Sequence, residues 1–320
     1  MVKKIKKKKN KAWLILFLIF LFLFSLSFFV FKIYHSLAKS LWDGQNQFNV
    51  VINSQPVNLV SFNPLEEKIN LLLIPNGTFI ETIHGYGPYR IESVYKLGEL
   101  KGNGSELLTG SLQDSFGLTV DGLLKGADNE WQKNGLKNNL LNQFFNSFAH
   151  DKKTNLSRWD LLRLWWRIKM IREDKITLID LSETSVSQEV DLPDGTKAMK
   201  VDTERLDRII SQFFADEKIK KEDLTIAVLN KTEKIGLANK AAKLISNIGG
   251  RVVNIGVQIP DTDKKDGCEL KSEKKYKNSY TVKKLSKIFN CQWVGESDDK
   301  QRSMVVILLG NDYWSRLNLP

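Results

Sequence analysis

LTIAVLNKTEKIGLANKAAKLISNIGGRVVNIGV, at residues 224–257, is the stretch that decides the fold class of the chain. It begins with the short apolar run Leu224–Leu229, which predicts a buried strand. Apolar residues then recur at helical spacing from Ile235 to Ile248, and a glycine pair ends this predicted helix. Arg251–Val257 is again strand-like. The order strand, helix, strand predicts a β-α-β unit and hence an α/β fold.

The residues around this unit complete a small C-terminal domain, which we expect to span 216–320. The predicted elements after the unit are a polar loop at 260–277, a helix near 281–289, an extended run at 291–294 and a strand at 304–309. Together they predict a small α/β sandwich. The loop between the first strand and helix has one glycine and no phosphate-binding motif, so no nucleotide or other cofactor is expected.

Short β-rich runs separated by turn residues precede this domain. The runs lie at 48–52, 57–62 and 69–74. Asn63-Pro64 is a turn signal between the last two, and the pattern is typical of a strand meander. A helix is predicted at 105–116 and a helical segment at 129–173. The sequence therefore predicts a second α/β lobe with a helical insert, spanning 48–215.

The second helix of the insert combines tryptophan with arginine. It is predicted from 157 to 172, with Ser157 as the N-cap and Asp160 completing a capping box. Its aromatic and basic members are Trp159, Trp165, Trp166, Arg158, Arg163, Arg167 and Arg172. Three interpretations remain open: packing in the core or between domains, contact with a membrane or glycan, and a catalytic role.

A dense positive charge at the N-terminus is followed by a long apolar run. Seven lysines lie among residues 1–11, and residues 12–31 carry no charge. About twenty apolar residues are enough to cross a bilayer as a helix. We therefore expect a cytoplasmic tail at 1–11, a transmembrane helix at 12–33 and a short stalk at 34–47. Because the lysine-rich flank stays in the cytoplasm, the rest of the chain is expected to be extracytoplasmic.

A cleaved secretory signal is the rival interpretation of this segment. Such a signal needs a shorter apolar core and small residues at its cleavage site. Here Ser25-Leu26-Ser27 is followed by the bulky run Phe28–Phe31, so an anchor fits the sequence better. Either interpretation exports the main domains.

Most of the net charge of +11 comes from the lysine tail. A basic chain suggests nucleic-acid binding, since lysine and arginine displace counterions from a phosphate backbone. Charge concentrated beside an apolar helix is instead typical of a topology signal that also contacts anionic lipid. We expect membrane lipid as a partner, and no nucleic acid.

Cys268 and Cys291 are the two cysteines of the chain. Both lie in the predicted exported domain, where an even number permits a disulfide. Two unpaired buried thiols remain the alternative, because sequence does not show whether the two Cα atoms approach closely enough. The two residues have no metal-ligand spacing, so no metal site is expected.

Motifs spaced through the C-terminal domain carry a family resemblance. They are Val228–Asn230, Gly236–Ala238, Ala241-Ala242, Ile248-Gly249, Val252-Val253 and Val305–Asp312. In this arrangement the domain resembles the LytR C-terminal domain. In bacteria that module accompanies LytR-CpsA-Psr cell-envelope proteins, so the resemblance implies a place in the cell envelope.

The first lobe resembles the LytR-CpsA-Psr family itself. The matching motifs are SQPVNLVSFNP at 54–64, LLLIPNGT at 71–78 and FGLTVD at 116–121, with looser matches at 89–91 and 95–98. Active members transfer anionic glycopolymers from a polyprenyl-pyrophosphate carrier to peptidoglycan. The resemblance implies arginines on the phosphates and a magnesium ion held by aspartate.

The charged positions of that family are altered in this chain. Gln55 stands at one family aspartate, Asn76 at an arginine and Gly77 at a further aspartate. Such chemistry needs fixed positive charge where the pyrophosphate leaves. Arg90 is the remaining candidate phosphate contact, and an ordinary solvated charge is its alternative.

Our leading hypothesis is a membrane-anchored envelope protein that binds or scaffolds and does not catalyse. Its expected partner is a wall glycopolymer or an envelope protein. The alternative is a transferase of the LytR-CpsA-Psr type with a rearranged site. An enzyme would need several convergent cations and a carboxylate beside an apolar groove, which a binding module does not require.

Overall fold

The computed structural model describes residues 6–128, 131, 135–149, 154–191, 195, 197–258, 267–296 and 303–318. Its first element is helix α1, Lys6–Ala38. Large apolar side chains of α1 are exposed, including Trp13, Phe20 and Phe24. Within the described ranges, no helix combines the length and apolar character needed to cross a membrane. The transmembrane helix predicted at 12–33 is therefore not confirmed.

The first lobe is built around one five-stranded sheet. Its elements in chain order are β1 (Phe48–Asn53), β2 (Val57–Asn63), β3 (Lys68–Ile74), β4 (Phe79–Thr82), β5 (Gly87–Arg90), α2 (Ile91–Glu99), α3 (Gly104–Phe116), β6 (Gly122–Lys125), α4 (Leu136–Ala149), α5 (Arg158–Met170), β7 (Ile176–Asp180), β8 (Ser187–Asp191), β9 (Lys197–Val201) and α6 (Thr203–Phe213). The sheet order is β6-β1-β2-β3-β7. The antiparallel meander β1-β2-β3 confirms the three predicted runs, and the two outer strands pair in parallel.

Both faces of this sheet are buried, because helices cover each of them. Along β2, Leu59 faces the core formed with α2, α3 and α6, whereas Val60 faces the core formed with α4 and α5. The alternation follows the two-residue period of a strand. Every residue of β2 is buried. The result is a helix–sheet–helix sandwich, so the mixed α/β class predicted for the lobe is confirmed.

The segment that follows α1 is part of this core. Trp42 is 3% exposed, and its ring lies 5.7 Å from that of Phe48 and 6.1 Å from that of Phe62. The Trp42 indole N–H donates to the carbonyl of Asn46 at 2.8 Å. Residues 40–47, predicted as part of a stalk, therefore pack on the lobe.

The predicted capping box at the start of α5 is confirmed. The Ser157 hydroxyl accepts from the Asp160 amide, and the Asp160 side chain accepts from the Ser157 amide at 3.0 Å. Asp160 also accepts hydrogen bonds from Ser40, Leu41 and Trp42. The Asp160 carboxylate thus binds both the segment that follows α1 and the N-terminus of α5. The helix ends at Met170, two residues before the predicted end, where Ile171 takes an extended conformation.

The C-terminal domain has a sheet of its own. Its elements are α7 (Glu217–Glu222), β10 (Thr225–Asn230), α8 (Leu237–Asn247), β11 (Arg251–Val257), β12 (Glu269–Ser272), α9 (Tyr280–Phe289), β13 (Gln292–Gly295), β14 (Val305–Leu309) and α10 (Asn311–Asn318). The sheet order is β11-β10-β14-β12-β13, and β10 pairs in parallel with β11. The β-α-β unit is therefore confirmed, as are the helix near 281–289 and the final strand.

One expectation for this domain is wrong. The region 260–277 was expected to be a polar loop, but it contains strand β12, which pairs antiparallel with β14. Leu270 and Ser272 are buried, whereas Glu269 and Lys271 are partly exposed. Strand β12 has four residues and one apolar side chain, so its sequence gives little indication of a strand. The strand is stabilised by its pairing with β14.

Polar contacts join the two domains. Lys284 of α9 lies 3.3 Å from Asp121 of the first lobe. Asn247 of α8 donates to Asp207 of α6 at 3.0 Å. The two domains therefore share a bonded interface.

Candidate functional site

The family-matched positions of the first lobe meet at one edge of its sheet. Gln55 lies in the β1–β2 turn and Asn76 follows β3, and both side chains are exposed. The Gln55 amide donates to Asp128 at 2.8 Å. Gly77 has φ +80°, a left-handed conformation that suits glycine, and its amide donates to Glu92. The strand ends that match the family motifs are therefore present, and they carry the side-chain amides of Gln55 and Asn76.

Arg90 is held at the end of a neighbouring hairpin. It pairs with Phe79 across β4 and β5, and its guanidinium lies 5.9 Å from the centre of the Phe79 ring. It also donates to the Lys197 carbonyl at 3.3 Å. These contacts engage the guanidinium with protein groups of the two hairpins.

A cleft of about 630 Å³ lies between the two hairpins, α3, α6 and α8. Its apolar lining includes Phe79, Phe116 and Met199. Two lysines at the cleft form ion pairs: Lys240 with Asp114 at 2.8 Å and Lys243 with Asp207 at 3.1 Å. Because these carboxylates neutralise their partners, the cleft offers less free positive charge than its lysines suggest. Its described lining contains no arginine.

A second site lies on the C-terminal domain, where α9 meets β13. This groove of about 400 Å³, called the α9 groove below, is lined by Lys277, Asn278, Val282, Lys283, Ser286, Lys287, Asn290, Cys291, Gln292 and Trp293. Lys283 and Lys287 are exposed and four residues apart on α9, so they lie on one helix face. No described carboxylate lines the groove or pairs with Lys277, Lys283 or Lys287.

Trp293 gives the α9 groove an aromatic wall. The Lys277 ammonium lies 4.2 Å from the ring centre, and the indole N–H donates to Ser272 at 3.1 Å. The second contact fixes the ring orientation. Cation and aromatic face therefore meet in the same groove, an arrangement that favours polar ligands with both an anionic group and an apolar face.

Local contacts hold the base of the groove. Cys268 and Cys291 are joined in a disulfide, with their Cα atoms 4.4 Å apart. Ser286 donates its hydroxyl hydrogen to the Cys291 carbonyl, which links α9 to the start of β13. The opposite end of α9 is held by Glu222, which accepts from the amides of Tyr280 and Thr281. Burial raises the Glu222 pKa, but these bonds outweigh it and lower the pKa overall.

Metal binding has no support in the described ranges. They contain no group of three or more histidine, cysteine, aspartate or glutamate side chains placed to hold a metal ion.

A family comparison identifies the domain that carries the α9 groove. Residues 223–313 match the family model described as LytR cell envelope-related transcriptional attenuator. The C-terminal domain thus matches this family, and it is called the LytR-type domain below. The resemblance predicted from its motifs is thus confirmed, and the α9 groove lies entirely within the LytR-type domain.

Solved structures similar to the chain include LytR-CpsA-Psr family proteins. B. subtilis TagT is 14% identical, with a TM-score of 0.40 over 54% of this chain and 91% of that one. The family protein YwtF (TagT) with bound octaprenyl pyrophosphate lipid is 15% identical, with a TM-score of 0.39 over 53% and 90%. B. subtilis TagV is 11% identical, with a TM-score of 0.39 over 52% and 95%. No curated protein matches the chain.

Sequence reasoning missed the α9 groove. Lys283 and Lys287 show the four-residue spacing of one helix face, and Trp293 follows Cys291 by two residues. These were the available signals. Their meeting with Lys277 depends on the packing of α9 beside β13, which no local pattern encodes.

Proposed function

We propose that this chain is a membrane-anchored, extracytoplasmic envelope protein whose LytR-type domain binds an anionic wall glycopolymer without catalysing its transfer. The observation that carries the proposal is the α9 groove, which is lined by three lysines, Trp293 and polar side chains. The apolar face of a sugar packs on an aromatic ring, and lysine is a mobile point charge for phosphate. A sugar polymer with phosphate groups offers both features in each repeat.

The N-terminal helix supports the anchoring part of the proposal. Its lysine-rich start precedes an uncharged stretch whose described large side chains are exposed, with Trp13 at 75% and Phe24 at 65%. Contiguous apolar surface of this kind is covered by lipid or protein in a cell. An anchor would hold the groove beside the inner layers of the wall.

The groove is tested by reversing its charge. We expect the K283E/K287E variant to bind a purified phosphodiester-linked wall glycopolymer roughly tenfold or more weakly than wild type at low ionic strength, because two exposed cations become anions. The difference should shrink as salt screens the charges. Calorimetric titration of the full chain in detergent measures the affinity, with a neutral glucan as the comparison ligand.

The matched control carries the same change in net charge on the first lobe. K96E/K101E alters two exposed lysines that do not line the α9 groove, and it should retain wild-type affinity. Equal losses in the two double variants would mean that net charge alone drives binding. That result, or unchanged binding by K283E/K287E, would contradict a site in the α9 groove.

A transferase would instead depend on the strand ends of the first lobe. The described residues there provide amides at positions 55 and 76, and the Arg90 guanidinium is engaged by Phe79 and the Lys197 carbonyl. We expect no transfer of glycopolymer from a polyprenyl-pyrophosphate carrier to peptidoglycan, with wild type and R90A indistinguishable. The measurement is a ligation assay, with R90K as the conservative variant. Transfer by wild type that R90A lowers and R90K restores would support the enzyme.

A further inference from the structure

The outer face of α5 carries an exposed apolar stripe. Its members Leu162, Trp166 and Met170 are spaced by four residues and are 39%, 52% and 63% exposed. The opposite face of the helix is buried in the lobe core through Leu161, Leu164 and Ile168. The helix therefore uses one face for packing and leaves the other uncovered by described residues.

A neighbouring helix widens this surface. Phe145 and Phe148 of α4 are 53% and 38% exposed, and the Phe145 ring lies 6.4 Å from that of Trp165. The exposed apolar side chains of the two helices are therefore neighbours rather than scattered singly over the surface. An exposed apolar patch of this kind is typical of a surface that binds a partner or a membrane.

Basic residues lie among these apolar side chains. Arg163 and Arg167 line a cavity of about 610 Å³ together with Trp42, Trp159 and Trp166, and no carboxylate is among its described lining residues. The Lys169 ammonium lies 5.1 Å from the Trp165 ring and 5.8 Å from that of Trp166. The occupant should therefore combine an apolar phase with negative charge.

The position of α5 identifies which occupant fits. Ser40, Leu41 and Trp42 all donate to Asp160 in the first turn of α5, and α1 ends at Ala38. Two residues of chain span about 7 Å at most. Arg163 also donates to the Trp42 carbonyl at 2.7 Å. The start of α5 thus lies within a short distance of the end of α1.

From this placement we infer that the outer face of α5 docks on the anionic headgroup layer of the membrane that α1 enters. Tryptophan concentrates at membrane interfaces, where its ring meets acyl chains and its N–H meets headgroups. Arginine and lysine add attraction to anionic lipid. The inference rests on the proposed anchor, and it adds a second, peripheral contact that sets the orientation of the lobe.

Bromolipid quenching tests the inference on the full chain. The protein is reconstituted into vesicles of phosphatidylglycerol and phosphatidylcholine with brominated acyl chains, in a W13F background that removes the α1 tryptophan. We expect tryptophan emission to be quenched and W166F to lose the larger part of that quenching. W293F, which removes the groove tryptophan, is the matched control and should keep it. Unbrominated vesicles give the reference intensity.

The outcomes separate this inference from the anchor. Failure of the chain to float with the vesicles would overturn the anchor and this inference with it. Flotation with equal quenching in the background protein and W166F would overturn the α5 contact alone. If a soluble wall glycopolymer shields Trp166 from acrylamide and the bilayer does not, the face is a polymer site and the inference is again overturned. Flotation with W166F-specific loss supports it.

Discussion

Replacing Trp42 by alanine is expected to lower the free energy of unfolding by about 3–5 kcal/mol, the usual cost of removing a large buried aromatic side chain. Trp42 is 3% exposed and packs against Phe48 and Phe62. Its loss also leaves the Asn46 carbonyl without the indole donor. Urea denaturation of the full chain in detergent, followed by far-ultraviolet circular dichroism, measures the change.

W166A is the control for this substitution. Trp166 is 52% exposed, and in detergent its removal should change the free energy of unfolding by only about 0.5 kcal/mol, as for other surface positions. If W42A costs no more than W166A, the segment after α1 is not part of the lobe core. Trp42 would then belong to a stalk, as the sequence predicts.

Replacing Asp160 by alanine is expected to cost about 3 kcal/mol, because it leaves one buried and two partly buried amide donors without their acceptor, and each buried donor so left costs about 1–3 kcal/mol. The carboxylate is fully buried and accepts from the amides of Leu41, Trp42 and Ser157. The same substitution removes half of the α5 capping box. D160N keeps the shape and should cost less. D174N, which alters an exposed carboxylate just beyond the helix, should cost little and serves as the control.

The Asp160 contribution should depend on pH in a defined direction. Burial raises the pKa of this carboxyl, but the hydrogen bonds from Ser40, Leu41, Ser157 and Trp42 outweigh it, so the folded pKa lies below the ordinary 3.8. A carboxyl whose pKa is lower in the folded state stabilises that state at pH values above its pKa in the unfolded state. This stabilisation is lost as the pH falls through the pKa of the folded state. The stability gap between wild type and D160N should therefore be constant near neutral pH and shrink in acid. If the difference in free energy of unfolding between wild type and D160N stays unchanged down to pH about 2, the negative charge of Asp160 is not needed for these hydrogen bonds.

Local patterns were sufficient for the elements that carry strong local signals. The runs at 48–52, 57–62 and 69–74 are apolar enough to be buried on both faces, and the β-α-β unit at 224–257 has the periods of its elements. The capping box at Ser157 was equally readable, because both partners lie three residues apart. These features depend on neighbours along the chain.

Features built from distant segments could not be predicted. Ser40 and Asp160 are 120 residues apart, so nothing near Trp42 distinguishes a docked segment from a stalk. The interpretations left open for α5, the helix with tryptophan and arginine, depend on which way each of its side chains faces. Its inner face packs in the core, and its outer face is exposed. Only the packed fold assigns each side chain to one of them.

The contacts of Asp160 affect how far from the membrane the α9 groove can lie. If α1 enters the membrane, the chain leaves the bilayer directly into a packed lobe, and the lobe is bonded in turn to the LytR-type domain through Lys284 and Asn247. The standoff between lipid and the α9 groove is then a fixed dimension of the fold. A protein on a flexible tether samples many depths of the wall, whereas this one would meet polymer strands only within a thin slab next to the membrane.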